Sequence, residues 1–174
     1  DLTVCGGIRG RLFRLSFSGE LAYEVAVPAR YGDSLIRALM AAGQEYGVVP
    51  YGTEALGVMR VEKGHAAGNE LNGTTTAGDL GLGKMVSAKK DCIGRVLSLR
   101  PGLTDENRPV LVGFKPVNPE HRLTAGAHFL PLGAAMEAKH DQGYMASVAY
   151  SPSLGTSIGL GFIRHGFDRL GETV

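Results

Sequence analysis

Cysteine is nearly missing from this chain of 174 residues. Its two copies, Cys5 and Cys92, lie far apart and form no C-x-x-C pair. That excludes a disulfide framework and fits a reducing compartment or free thiols. Excess charge is missing too: 18 basic and 17 acidic residues leave a net charge of +1. A dominant surface for nucleic acid or an anionic membrane needs more, so neither is expected as a partner. No apolar run approaches the roughly 18 residues of a membrane-spanning helix. The five histidines, His65, His121, His128, His140 and His165, form no H-x-x-x-H or H-E-x-x-H pair. No metal site is therefore expected. There is no internal repeat and no low-complexity tract. The chain starts at Asp1 without an initiator methionine or signal-like stretch. This reads as a fragment or processed piece and leaves an upstream targeting signal open.

What is present begins with glycine, 26 residues of it, which predicts many turns. The length suits one large domain or two small ones and buries roughly 70% of the unfolded surface, so no staples are needed. Residues 11–28, RLFRLSFSGELAYEVAVP, alternate apolar and polar like two half-buried strands around a turn at Ser18-Gly19-Glu20. Phe13, Leu15 and Phe17 share one face of the first strand. On the second, Ala22, Glu24 and Ala26 share the face opposite Leu21, Tyr23, Val25 and Val27. Glu24 stands out as a carboxylate whose small neighbours leave room for a flat ligand. The plain alternative is a solvent-facing acid on an exposed sheet. Both readings stay open on spacing alone.

A helix is predicted over 31–46, capped by Asp33, striped by Leu35, Ile36, Leu39 and Met40, and closed by Gly47. A second is predicted over 53–63, capped by Thr53, burying Ala55, Leu56, Val58 and Met59, and stopped by Gly64. Residues 65–88 read as loop with short strands, and 91–99 as a short helix. The Pro, Gly and charge cluster over 100–109 reads as the linker. Strands are predicted over 110–114, 127–130, 143–150 and 157–163, the pattern of a small sandwich or barrel.

Two motif look-alikes fail on their own chemistry. Gly78-Asp79-Leu80-Gly81-Leu82-Gly83-Lys84-Met85 has P-loop spacing, but Met85 stands where Ser or Thr must ligate Mg²⁺. Gly155-Thr156-Ser157-Ile158-Gly159 matches a nucleophile elbow. That motif needs a strand turning into a helix, whereas Ile158, Leu160 and Phe162 continue as a strand. Ser157 is thus a turn or strand-start residue, and Tyr144 and Tyr150 read as packing residues. No acid–base pair or activated nucleophile is recognisable.

Phe17-Ser18-Gly19-Glu20, then Tyr23-Glu24-Val25, resembles the G-Y-T-G-E-x-G-x-E segment of the aminomethyltransferase (glycine-cleavage T-protein) family. Tyr51-Gly52-Thr53-Glu54-Ala55-Leu56 with Met59-Arg60-Val61-Glu62-Lys63-Gly64 resembles that family's second helix. The version here is similar to the α subunits of bacterial heterotetrameric sarcosine oxidases. So are Gly68-Asn69-Glu70-Leu71, Asp79-Leu80-Gly81-Leu82-Gly83 and Lys90-Asp91-Cys92-Ile93-Gly94-Arg95. Tyr150-Ser151-Pro152-Ser153-Leu154-Gly155 with Ile158-Gly159-Leu160-Gly161 resembles the C-terminal barrel of these proteins.

The resemblance implies an α+β fold: a folate-binding half-domain over 1–100, with a hairpin and two main helices, then a small C-terminal β-barrel over 108–174. It implies a tetrahydrofolate site shared with an N-terminal half not in this chain. Glu24 would take the two parallel donors of the pterin as a carboxylate takes an arginine fork. Phe17 stands where the family has a tyrosine, and its ring would keep the apolar contact without the hydroxyl. Leu56 falls where T-proteins carry a folate-contacting arginine, a departure that fits an oxidase-type subunit. Glu20 would serve the turn. No catalytic residue is implied in this chain, which alone would be inactive. In the parent oxidoreductase, a flavin (FAD or FMN) on the β subunit would oxidise sarcosine, with NAD elsewhere in the enzyme. The one-carbon unit would pass to tetrahydrofolate as 5,10-methylene-tetrahydrofolate, with H₂O₂ as the other product. The family continues past Val174, so the barrel would be open at one edge. The alternative from another class is a non-catalytic subunit-assembly module with the same fold.

Overall fold

The computed structural model describes residues 1–174. Its contacts divide the chain into two units, Asp1–Arg60 and Val61–Val174.

The first unit holds a three-stranded antiparallel sheet in the order β1-β2-β3, made of β1 (Leu2–Val4), β2 (Ile8–Phe13) and β3 (Glu24–Ala26). Cross-strand partners are Thr3 with Arg9, Arg11 with Ala26, Leu12 with Val25, and Phe13 with Glu24. Directly opposed residues share a face. One face therefore carries Thr3, Arg9, Arg11, Phe13, Glu24 and Ala26, all exposed. On the other, Leu2, Val4, Ile8, Gly10 and Val25 are half-buried or buried, whereas Leu12, opposite Val25, is exposed.

The predicted hairpin is corrected in extent: the strands stop at Phe13 and resume at Glu24. Between them the Ser16 hydroxyl accepts the Gly19 N–H at 3.0 Å and the Ser18 hydroxyl accepts the Glu20 N–H at 3.4 Å. Such local bonds offer the backbone an alternative to the ladder. Gly19, at φ +100°, lets the chain turn there.

Helix α1 spans Gly32–Gly43 between 3₁₀ turns at Ala29–Tyr31 and Gln44–Tyr46. Because helical winding begins at Ala29, Asp33 is not the cap. It sits in the first turn, where an acid still favours the helix dipole, and pairs with Arg37 at 2.9 Å. Helix α2 spans Thr53–Lys63. Its cap position falls on Gly52, whose carbonyl accepts the Leu56 N–H at 3.1 Å. The buried stripe lies further along than predicted. Ala55 is exposed, Leu56, Val58 and Met59 are half-buried, and Val61 is buried.

In the second unit, residues 65–88 form no strands, contrary to expectation. They wind through 3₁₀ turns at Gly68–Glu70 and Gly83–Met85. The next helix shrinks to α3 (Arg95–Ser98), because Gly94 enters it at φ +88°. Strands β4 (Pro109–Phe114), β5 (His128–Phe129), β6 (Gly143–Ser151) and β7 (Thr156–Arg164) form an antiparallel sheet in the order β4-β7-β6-β5. Val61, Leu111, Ala146, Ile158, Leu160 and Phe162 make one core. Between Met145 and Ser147 the register slips by one residue, a bulge that sharpens the twist.

This sheet is strongly curled. Its rim strands are three spacings apart, about 14 Å in a flat sheet. Yet Phe114 of β4 stacks on Phe129 of β5 with ring centroids 4.5 Å apart. Gly161 permits the approach: a Cβ there would sit 3.0 Å from the Phe114 ring and 2.8 Å from the Tyr144 carbonyl oxygen.

The stretch 100–109 is not slack. Arg108 forks onto the Asp79 carboxylate through Nε and Nη2, and also donates to the Gly102 and Thr74 carbonyls. The same carboxylate accepts the Thr76 N–H at 2.8 Å. The Asp79 carbonyl accepts the Leu111 N–H of β4 at 2.7 Å. Burial alone pushes the Asp79 carboxyl up, but the hydrogen bonds from Arg108 and Thr76 outweigh it and hold the acid below its ordinary value.

Candidate functional site

Glu24 opens β3 and is exposed on the sheet face opposite Phe13. Its carboxylate makes no hydrogen bond or ion pair within the chain. Ala26 is its small neighbour on the strand, as read from the sequence, whereas Ala22 lies off the strand in the loop. Phe17 is also in that loop and 38% exposed, so the ring facing Glu24 across the ladder is Phe13. Period-two counting could have found Phe13, but not which residue of β3 opposes it. Leu56 is half-buried on α2. Glu24, Phe17 and Leu56 thus stand on a strand, a loop and a helix.

Two clefts belong to this unit. One, of about 370 Å³, is lined by Asp1, Arg9, Gly10, Arg11, Ala26, Val27 and Pro28. The other, of about 230 Å³, lies in the loop and is lined by Arg14, Leu15, Ser16, Glu20 and Ala22 among others. Neither is lined by Glu24, Phe17 or Leu56. Glu20 therefore contributes its backbone N–H to the turn and is one of the residues that line the cleft.

The look-alike motifs are structural. In the P-loop-like stretch the Gly81, Leu82 and Met85 amides bond to the carbonyls of Gly78, Ala77 and Leu82, so these amides are not turned inward on an anion. Ser157 is buried at the start of β7 and accepts the Leu123 N–H at 3.2 Å. Tyr144 packs on Phe162, centroids 5.7 Å apart; Tyr150 is exposed rather than packed. No helix is long and apolar enough to cross a membrane. Both cysteines are free and exposed.

The family model of the GCVT N-terminal domain matches residues 2–90. That of the glycine cleavage T-protein C-terminal barrel domain matches residues 110–174. The chain belongs to the glycine cleavage T-protein family. It is 52% identical over 170 residues to the sarcosine oxidase subunit alpha of Rhizobium meliloti, covering 97% of this chain and 17% of that one. It is 31% identical over 164 residues to an aminomethyltransferase of Halothermothrix orenii, covering 92% of this chain and 43% of the relative. The crystal structure of the glycine cleavage system aminomethyltransferase T from Bartonella henselae superposes with a TM-score of 0.70 at 24% identity, over 89% of this chain and 42% of that one. That likeness supports the α+β fold with its C-terminal barrel. The chain spans under a fifth of the sarcosine oxidase subunit and under half of the aminomethyltransferases.

Proposed function

We propose that this chain is the tetrahydrofolate-binding region of a sarcosine oxidase α-type subunit, with Glu24 gripping the pterin. The observation that carries the reading is the Glu24 carboxylate: exposed on a strand, unengaged within the chain, with a small residue beside it and an aromatic ring opposite. Its two oxygens suit the paired N–H donors of a pterin. Phe17, in the loop, and Leu56, on α2, would add apolar contact. Bound tetrahydrofolate would accept the one-carbon unit released when sarcosine is demethylated to glycine. The flavin would lie on another subunit, and the assembly would be cytoplasmic. The likeness to a sarcosine oxidase subunit across 97% of this chain supports the branch. The two matched segments, 2–90 and 110–174, support a domain division into 1–100 and 108–174.

A second reading, a subunit-assembly module, draws on the apolar side chains the first unit leaves exposed, such as Leu12, Leu15, Leu21 and Tyr23. Tetrahydrofolate titration of the full-length subunit separates the two. Saturable binding that weakens about 10- to 100-fold in Glu24→Gln, as for a lost charge-assisted hydrogen bond, supports the folate site. Equal binding by wild type and variant, with tight capture of a flavin-bearing subunit, supports the module.

A further inference from the structure

Glu24 shares its sheet face with two cations that the folate reading leaves without a role. Along that face the order is Glu24 opposite Phe13, then Ala26 opposite Arg11, then Arg9. Each step of two residues covers about 7 Å, so Arg11 lies about 7 Å and Arg9 about 14 Å along the strands from the Glu24 row. The face thus runs from an anion, over an aromatic ring and a methyl group, to a pair of guanidinium groups. Both arginines line the 370 Å³ cleft with Ala26, Val27 and Pro28. Arg9 has no acidic partner. The nearest acid to Arg11 is Asp1, at 3.7 Å with both side chains largely exposed, too long and too wet to hold the guanidinium in place.

We propose that Arg9 and Arg11 form a carboxylate-binding subsite for the acidic tail of the folate whose pterin Glu24 holds. This rests on the folate reading above and deepens it. A planar five-donor fork suits a carboxylate. From the amidine edge of a pterin, across an aminobenzoyl ring, to the glutamyl carboxylates is on the order of 15 Å by ordinary bond lengths. That matches the span of about 14 Å from the Glu24 row to Arg9, with Arg11 about halfway along it.

The test uses the full-length subunit and compares a tail-less 6-methyltetrahydropterin with tetrahydrofolate carrying one or three glutamates. Binding is read by equilibrium titration in wild type, Glu24→Gln and the double variant Arg9→Gln/Arg11→Gln. We expect the double variant to lose about 10- to 100-fold for tetrahydrofolate, more at low salt than at high, with pterin binding unchanged. Glu24→Gln should weaken all three ligands alike. If the double variant binds tetrahydrofolate as well as wild type while Glu24→Gln does not, the tail subsite is wrong and the pterin site stands. Equal weakening of pterin and folate in the double variant also overturns the subsite, since the arginines then act on the fold. Failure of wild type to bind any of the three overturns the folate reading as well.

Discussion

Replacing Asp79 with asparagine removes the charge from a carboxylate that is 5% exposed and turns an amide N–H₂ toward the Arg108 fork. The Thr76 N–H can keep an oxygen acceptor, so the loss falls mainly on the ion pair. Removing one partner of a buried pair costs about 3–5 kcal/mol. The Arg108 side chain is 20% exposed and retains the Gly102 and Thr74 carbonyls, which places the cost near the lower end, at about 3 kcal/mol. Melting of the chain should then fall by about 6–12 °C, at about 2–4 °C per kcal/mol for its length. The local readout is amide exchange at Leu111, which donates to the Asp79 carbonyl; it should quicken with the unfolding rate of the loop. A cycle with Arg108→Gln should return a coupling of about 1–3 kcal/mol. The sign with pH follows from the lowered acid. The pair contributes fully above the ordinary carboxyl value of 3.8 and is lost as pH falls through the lower native value, so the wild type but not Asp79→Asn should weaken further below about pH 4. A coupling under about 0.5 kcal/mol with unchanged exchange at Leu111 would refute the clamp.

Other substitutions probe the rest of the structure. Gly143→Ala should abolish folding of the second unit or cost more than about 4 kcal/mol, since φ is +142° and the new methyl would collide with the Phe162 carbonyl; solubility and thermal unfolding report it. Ser157→Ala should cost about 1–2 kcal/mol by stranding the Leu123 N–H, read by thermal unfolding; an unchanged melting temperature would contradict it.

The strands of the second unit were legible because Ile158, Leu160 and Phe162 alternate with glycines too small to blur the period. β6 was harder: Met145, Ala146 and Ser147 are buried in succession at the bulge, and no period of two survives that. In the first unit the alternation of Phe13, Leu15 and Phe17 looked like one strand. Side-chain bonds from Ser16 and Ser18 diverted the backbone after Phe13, and a hydrophobicity pattern carries no record of such bonds. Glu24 could be singled out by its surroundings, but its alignment with Arg11 and Arg9 depends on ladder register, which ten intervening loop residues leave undetermined. The Asp79–Arg108 pair spans 29 residues. Its arginine sits in a stretch whose prolines and glycine signal a linker, so nothing local betrayed the anchor.

The ring stack between Phe114 and Phe129 bears on how the molecule behaves when crowded. Because the two rims of the curled sheet hold each other through these rings, neither can swing outward to receive a strand from another molecule until the stack parts. The short β5, two residues long, gives a visitor little to zip onto even then. Cutting that contact, as in Phe129→Ala, should loosen both rims and raise concentration-dependent association of the chain, read by sedimentation.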